Sequence, residues 1–352
     1  MTLRFGVVGT GMMGCEHLRN LLALPDTEIA AVADPHPASR EWAASTLGAG
    51  HPAAICAETA DLLDRELDAL VVATPNMTHA EVLDEVFARR PELPVLVEKP
   101  LCTTLDDCRA VAAAARERPG IVWVGLEYRY MPPVARFLAE LEHAGELHMV
   151  FVREHRFPFL PKVGDWNRFN ANTGGTLVEK CCHFFDLMRL AAGADPVRVY
   201  ASGGQDVNHL DEEYDGRRPD ILDNAYVVVD FANGVRGCLD LCMFAEGSRN
   251  EQELVAVGAS GKVEAFVPEG AVRVGDRATR DVRVVDAATD ARVRYEGFHH
   301  GGSYLELAAF AAAVRDGTPP AVTVDDGYWS VATGVAAHRS IERGEPVLLS
   351  DL

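Results

Sequence analysis

Short apolar runs alternate with amphipathic stretches through the first 125 or so residues. LRFGVVG, EIAAVAD, DALVVATP, PVLVEKP and IVWVGLEYR are nearly unbroken series of apolar and β-branched residues, the pattern of strands covered on both faces. Between them, MMGCEHLRNLLAL, PASREWAASTLG, MTHAEVLDEVFARR and TLDDCRAVAAAARE repeat apolar residues every three or four positions, which predicts helices. Such alternation implies right-handed βαβ crossovers and a parallel sheet. Beyond Met131 the pattern changes. HMVFVREHRF, VRVYASGG, AYVVVDFANG, VRGCLDLCMF, QELVAVGASG and KVEAFVPEG follow one another through Asn-Gly, Ser-Gly and Glu-Gly turns, which predicts hairpins and an antiparallel sheet. Residues 205–220, polar and turn-rich, read as a surface excursion between strands. Two last helical patterns, SYLELAAFAAAVRDG and GYWSVATGVAAHRSIERG, each stop at Gly, as C-terminal capping favours. The expectation is an α/β protein: a doubly wound parallel sheet over residues 1–125 and an α+β domain with a mainly antiparallel sheet over 126–352.

The chain has 352 residues, too many for one ordinary core, and its 48% hydrophobic and 24% charged content is that of a soluble globular protein. No run of eighteen apolar residues exists to span a membrane. MTLRFGVVGTG enters a strand at once, without the features of a signal peptide. The net charge of −20 repels phosphate backbones and argues against a nucleic-acid partner. Cys15, Cys56, Cys102, Cys108, Cys181, Cys182, Cys238 and Cys242 form no CxxC and no disulfide framework. They read as small hydrophobes in a reduced, cytoplasmic protein.

Gly9-Thr10-Gly11-Met12-Met13-Gly14 is a GxGxxG loop directly after the first strand and at the start of a helix. The first glycine permits the tight turn, the second a close backbone approach to a pyrophosphate, the third close helix–strand packing. Alone the motif is weak. Here Asp34 ends the second strand twenty residues beyond Gly14, where a carboxylate accepts hydrogen bonds from a ribose 2′-hydroxyl. The first domain therefore reads as a Rossmann domain. Asp34 repels a 2′-phosphate, so NAD is preferred; His36 and Arg40 leave NADP as the second choice.

Glu98-Lys99-Pro100 closes the PVLVEKP strand at its carboxyl end, where open parallel sheets bind ligands. A lysine there can stabilise a developing alkoxide, although a lone strand-end lysine is more often simply solvated. In GGTLVEKCCHFFDLMRLAAG, read as one buried helix from Thr176, Glu179, His183 and Asp186 lie at i, i+4 and i+7 on one face. Unpaired buried polar groups cost about 1–3 kcal/mol each, so this stripe has partners or a function. Histidine is the natural general base near neutral pH, and a carboxylate one turn away can orient it. A metal site needs three or four converging ligands, which this spacing does not supply. No GxSxG elbow is present, against a Ser-His-Asp hydrolase.

GVVGTGMMG, VVATPNMTH, VEKPL, EYRYMP and GGTLVEKCCHFFD together make the chain resemble, over essentially its whole length, the Gfo/Idh/MocA oxidoreductases. The resemblance implies a Rossmann domain, a C-terminal domain built on a large open sheet, and homodimers or homotetramers formed through that sheet. It implies that Lys99 lies beside nicotinamide and substrate, and that Glu179 and His183 complete the catalytic set. Thr74, Pro75, Asn76 and His79 match the turn on the nicotinamide side, Glu98 the glutamate beside the lysine, and Arg129 a substrate-facing basic residue. Two departures stand out: Glu179 replaces the usual aspartate, and Cys181 a usual glycine.

The resulting expectation is hydride transfer from a secondary alcohol of a sugar or cyclitol to NAD, with His183 taking the hydroxyl proton, Lys99 holding the oxygen and Glu179 orienting His183. Trp166, Asn167 and Arg168 precede the catalytic helix and are candidates for contacts to a polyol; for Trp166 an ordinary packing role is equally expected. His299 and His300 are candidates for the pocket or for a surface turn. Two other readings share these residues: a sugar oxidoreductase that retains its NAD(H), and a nucleotide-bound sensor without catalysis.

Overall fold

A computed structural model describes residues 2–352, which divide into two compact units. The first comprises Met1–Glu127, Lys162–Gly164 and Ala291–Tyr328; the second comprises Tyr128–Pro161, Asp165–Asp290 and Trp329–Leu352.

The first unit opens with β1 (Leu3–Val8), α1 (Met12–Ala23), β2 (Thr27–Ala33), α2 (Pro37–Leu47), β3 (Ala54–Cys56) and α3 (Thr59–Leu63). β4 (Ala69–Val72), α4 (His79–Arg89), β5 (Val95–Glu98), α5 (Leu105–Glu117) and β6 (Val122–Gly125) follow. The strands pair in parallel in the order β3-β2-β1-β4-β5-β6. Every residue of β4, β5 and β6 is buried, which is why these strands read as unbroken apolar runs. β3 and α3, three and five residues long, are too short to show a period and escape the pattern. The strand order reverses between β1 and β4, and open parallel sheets bind ligands at the carboxyl ends beside that point.

Helix α10 (Gly302–Asp316), from the last fifth of the chain, also belongs to this unit. Phe310 packs edge-on against Phe5 of β1 and Trp123 of β6, at centroid distances of 6.2 and 6.0 Å. The Trp123 indole N–H donates to Glu306 at 3.1 Å. Such aromatic pairs add about 0.5–1.5 kcal/mol each to ordinary burial, enough to hold this distant segment on the sheet.

The second unit contains α6 (Pro132–Glu140), β7 (Leu147–His155), α7 (Asn170–Thr173), α8 (Thr176–Glu179) and α9 (Cys182–Ala192). Strands β8 (Pro196–Gly204), β9 (Asn224–Phe231), β10 (Arg236–Cys242), β11 (Gln252–Gly258), β12 (Gly261–Val267), β13 (Ala271–Asp276), β14 (Val282–Asp286) and β15 (Val347–Leu348) complete its sheet. Helix α11 (Val324–Arg343) begins among residues of the first unit and continues into the second. The nine strands run β14-β13-β12-β11-β7-β10-β9-β8-β15. Only β7 and β10 pair in parallel, so the large sheet is mainly antiparallel, as expected. The Asn-Gly, Ser-Gly and Glu-Gly turns join β9 to β10, β11 to β12 and β12 to β13. Insertion of β7 between β10 and β11 is a long-range pairing that no turn residue announces. Alternate residues such as Val152, Val227, Leu239 and Leu254 face a core shared with Phe184 and Met188 of α9. The opposite face exposes Met149, Tyr200, Tyr226 and Val228.

The single helix that periodicity predicts from Thr176 is two helices, α8 and α9, separated by a turn at Lys180 and Cys181. Cys181 N reaches back to Thr176 O at 3.4 Å, while Phe184 N reaches Cys181 O at 3.0 Å. These five- and three-residue spacings interrupt the regular ladder. The one helix expected is thus two, with Glu179 the last residue of α8 and His183 in the first turn of α9.

Candidate active site

At the end of β1 the chain turns through Gly9 at φ 86°. A Cβ on Gly9 would lie 2.6 Å from the Ala73 backbone, and one on Gly14 would lie 1.9 Å from the Gly9 carbonyl oxygen. Neither position admits a side chain. A Cβ on Gly11 meets nothing within 4 Å, and no side chain caps α1. The loop thus combines open space with the N–H groups of a helix start, the combination that a pyrophosphate requires. Thr10 is fully buried, while Met12 and Met13 remain partly exposed on the first turn.

Asp34 follows β2. Its carboxylate accepts from Thr10 N and from His36 N, both at 2.8 Å, and each oxygen keeps acceptor capacity for another donor. Arg40 donates to the carbonyl oxygens of Asp34 and Pro35, again at 2.8 Å, which anchors its guanidinium to backbone. The residues present fit a dinucleotide. At the end of β4, Thr74 and Pro75 are partly exposed and Asn76 is buried. His79 is fully enclosed: its ring nitrogens lie 2.8 Å from Pro100 O and 3.1 Å from Thr74 O, and burial pushes its pKa down. His79 clips the β4 turn to the segment after Lys99 and presents no surface to a ligand.

Glu98, the last residue of β5, lies 2.5 Å from His17 Nε2 and accepts from Lys99 N at 3.2 Å. Burial alone would raise this carboxyl, but the His17 hydrogen bond and charge, with Lys99 and His299, outweigh it and hold the group at about 2. Glu127 behaves oppositely: burial and the charges of Glu98, Glu306 and Glu16 raise it well above the carboxylate range, with Lys99 opposing. Ser303 Oγ lies 3.1 Å from Glu127 and 3.2 Å from Glu16. A protonated Glu127 can donate to this hydroxyl, which in turn donates to Glu16. Phe298 N also donates to Glu16, at 3.1 Å, so the cluster fastens the 3-10 turn Gly297–His299 to the first unit. His299 Nδ1 lies 3.3 Å from Glu127; His300 follows at φ 51° and is partly exposed.

In the second unit Glu179 and His183 are 5% and 2% exposed. Leu177 N in α8 donates to His338 at 3.1 Å, and burial holds His338 at about 4, a neutral acceptor. The Tyr128 ring stacks flat on the His183 imidazole, with centroids 4.0 Å apart and planes at 9°. Lys180, on the turn between the helices, donates to the Tyr128 hydroxyl at 2.6 Å and to Glu154 at 2.9 Å. Glu154 is fully buried on β7 and also accepts from Gln252 at 2.8 Å and from Arg156 at 3.4 Å. Burial and Arg156 push the Lys180 pKa down, with Glu154 opposing. The sequence reading missed Tyr128, Glu154 and Lys180. A signal was present: Glu154 continues the buried phase of Val150 and Val152, where β7 would otherwise place an apolar residue.

Asp186, the third member of the expected stripe, pairs with Arg129, whose Nε donates to Oδ2 at 2.6 Å while a second nitrogen donates to Oδ1. Arg168 is buried and donates to Glu212 at 3.1 Å, and Glu212 also accepts from Tyr214 at 2.8 Å. The excursion over 205–220 lies at the surface, as expected, but is tied down: the N–H groups of Asp206, Val207 and Asn208 converge on the Asp223 carboxylate, and Glu212 holds Arg168. Asn167 is fully buried and donates to Leu160 O at 3.0 Å; Trp166 is partly exposed. Among the described residues no group of three or more His, Cys, Asp or Glu is arranged for a metal, and no helix is long and apolar enough to cross a membrane.

Residues 3–126 match the family model described as oxidoreductase family, NAD-binding Rossmann fold, and residues 140–349 match that of the oxidoreductase family, C-terminal alpha/beta domain. The scyllo-inositol 2-dehydrogenase (NAD(+)) of Bacillus subtilis is 27% identical over 99% of this chain and 96% of its own. Inositol 2-dehydrogenase 2 of Saccharopolyspora erythraea is 30% identical over 98% and 94%. The crystal structure of GenD2 from gentamicin A biosynthesis in complex with NAD superposes with a TM-score of 0.80, at 27% identity over 98% of this chain and 96% of that one. The glycine loop, the EKP strand end and the Glu179–His183 segment thus sit in a frame shared along the whole length, and the chain belongs to the Gfo/Idh/MocA oxidoreductase family.

Proposed function

We propose that the protein is an NAD-dependent dehydrogenase that oxidises a secondary alcohol on a cyclitol or sugar ring. The carrying observation is the open helix start at Gly11 beside a locked Asp34 carboxylate, in the same unit as Lys99 at the carboxyl end of β5. The names of the inositol dehydrogenases it resembles support a cyclitol as the first substrate to try.

A bound nicotinamide would supply the acceptor for the hydride of the carbinol carbon. His183 takes the hydroxyl proton as general base. Lys99 donates to the same oxygen as it becomes a carbonyl, stabilising its developing negative charge, and Glu179 positions His183. The N–H groups at the start of α1 would hold the pyrophosphate, Asp34 would accept from the ribose hydroxyls, and Thr74, Pro75 and Asn76 would serve the nicotinamide side. Arg129, Trp166 and Arg168 form the wall toward the polyol; Arg129 and Arg168 act there from fixed ion pairs. NAD is the better cofactor, with NADP second. The eight free cysteines fit a reduced cytoplasm, and the exposed apolar face of the large sheet fits a homodimer or homotetramer.

The test is a panel of inositol isomers, aldoses and sugar nucleotides with NAD, followed by NADH absorbance. Oxidation of at least one ring alcohol, lost in His183→Asn, is expected. No turnover of any secondary alcohol with either nicotinamide cofactor would overturn the reading.

A further inference from the structure

A general base must be neutral to accept a proton, and in the proposed site the Glu179 carboxylate that positions His183 favours the imidazolium. The structure sets a cation against it. Lys180 leaves the helix at the break between α8 and α9, is 7% exposed, and is fixed at both ends of its reach, by Glu154 at 2.9 Å and by the Tyr128 hydroxyl at 2.6 Å. The Tyr128 ring in turn lies flat on the His183 imidazole at 4.0 Å. We propose that Lys180 and Tyr128 are positioning residues: Lys180 pins Tyr128 as a rigid platform that fixes the plane of His183, and its charge keeps the imidazole neutral and ready to accept a proton.

The charges around His183 support this sign. Glu179 on α8 favours imidazolium. On α9, one turn beyond His183, the charge of Asp186 is matched by Arg129. From β7 and the segment after it come Glu154 and Arg156, which with Lys180 make two cations to one anion. His338 of α11, held at about 4, adds no charge at neutral pH. Tyr128 cannot relay the proton, because it meets His183 through its ring face; its part is geometric. Lys180 stands in the turn between α8 and α9, and from there its ammonium meets both Tyr128 and Glu154.

This inference rests on His183 as the base, and its test is chosen to separate the two. The imidazole of His183 is titrated by NMR in histidine-labelled protein, assigned by loss of its signal in His183→Asn, with no substrate present. In Lys180→Met its pKa is expected to rise by on the order of one unit, as loss of one nearby charge would give; Lys180→Arg should stay near the parent. Tyr128→Phe keeps the stacked ring, removes the hydroxyl that Lys180 holds, and should shift the titration less, in the same direction. With a cyclitol that the parent oxidises, the acid limb of kcat should move to higher pH by the same amount in Lys180→Met, with KM little changed. An unmoved titration in both Lys180→Met and Tyr128→Phe overturns the inference; if Lys180→Met fails to fold, an unmoved Tyr128→Phe does so alone. A shifted titration with an unmoved rate profile would retain the electrostatic role and reject His183 as the base.

Discussion

In the first unit four glutamates, Glu16, Glu98, Glu127 and Glu306, share a buried region with His17, His299 and Lys99; in the second, one glutamate, Glu154, faces Lys180 and Arg156. The surplus is anionic in the first case and cationic in the second. Each surplus shows in a displaced pKa: that of Glu127 is raised by burial and the neighbouring glutamates, and that of Lys180 is lowered by burial and Arg156 against the opposing pull of Glu154. A buried charge without compensation is too costly to keep, and a shifted pKa is the usual outcome. The functional consequence differs by sign. In the proposed mechanism Lys99, beside these carboxylates, holds an oxygen that becomes negative. Cations near His183 favour neutral imidazole, suited to taking a proton. Environments that push titratable groups apart assign acid and base roles.

The sharpest way to break this contrast is at the base itself. His183→Asn keeps a polar group of similar breadth but cannot accept the proton. Ring-alcohol oxidation should fall by about 10²–10⁴, the usual contribution of general base catalysis. Near-parent rates and an unchanged pH profile would remove His183 from that role. Glu179→Gln should be milder, because orientation is lost while the acceptor remains. On the other side, Lys99→Ala should lower turnover by about a hundredfold or more, as loss of one preorganised donor does, while fluorescence titration with NADH still shows binding. A variant that turns over normally with a substrate of the parent would leave the anionic cluster without a catalytic partner.

The setting of Asp34, another buried carboxylate, sharpens the contrast. Asp34 is handled neither by a proton nor by a cation but by two backbone N–H groups, those of Thr10 and His36. In the proposed site it faces the adenosine ribose, where a 2′-phosphate would meet a carboxylate. The expected preference for NAD is at least ~10-fold in kcat/KM, a discrimination of about 1.4 kcal/mol. Asp34→Ser combined with His36→Arg should move the preference toward NADP by removing repulsion and adding a phosphate donor. Equal use of NADP by the parent would show that Arg40 leaves its carbonyl contacts to reach the phosphate.

Much of this was legible in the sequence where the cause is local. The buried strands β1, β2, β4, β5 and β6, the glycine loop and the hairpin turns all follow from neighbouring residues, and each stands where the pattern puts it. What periodicity could not show is long-range. The Phe310 contacts that bring α10 to β1 and β6, the insertion of β7 beside β10, and the pairing of Arg129 with Asp186 all join residues far apart in the chain. The stripe at Glu179, His183 and Asp186 was legible as a set of polar residues but not as a geometry. Period-3.6 reasoning assumes an unbroken helix, whereas a turn at Lys180 and Cys181 separates α8 from α9, and the partners of Lys180, Tyr128 and Glu154, lie far off in sequence.

The smallest effect expected concerns stability, and it tests the anionic side directly. Glu127 in the folded chain binds its proton more tightly than in the unfolded chain, where the group titrates near 4.5. As pH rises above that value the unfolded chain releases the proton and the folded chain does not. The unfolded state then binds fewer protons, so stability falls with rising pH until the folded group also ionises. Glu98 acts in a separate window: its folded pKa is lowered to about 2, so its contribution is complete above about 4.5 and is lost as pH falls toward 2. The two are therefore distinguishable in one experiment. Glu127→Gln replaces a neutral acid by a neutral amide of the same shape and removes only the cost of holding the proton. Thermal melts between pH 5 and 8 should decline less steeply in the variant, with its Tm at pH 8 above the parent's by about 2–4 °C, the shift expected for ~1 kcal/mol in a unit of this size. Parallel Tm curves for parent and variant across that range would show that Glu127 is ionised in the folded chain, and the first region would then carry its anionic surplus unrelieved.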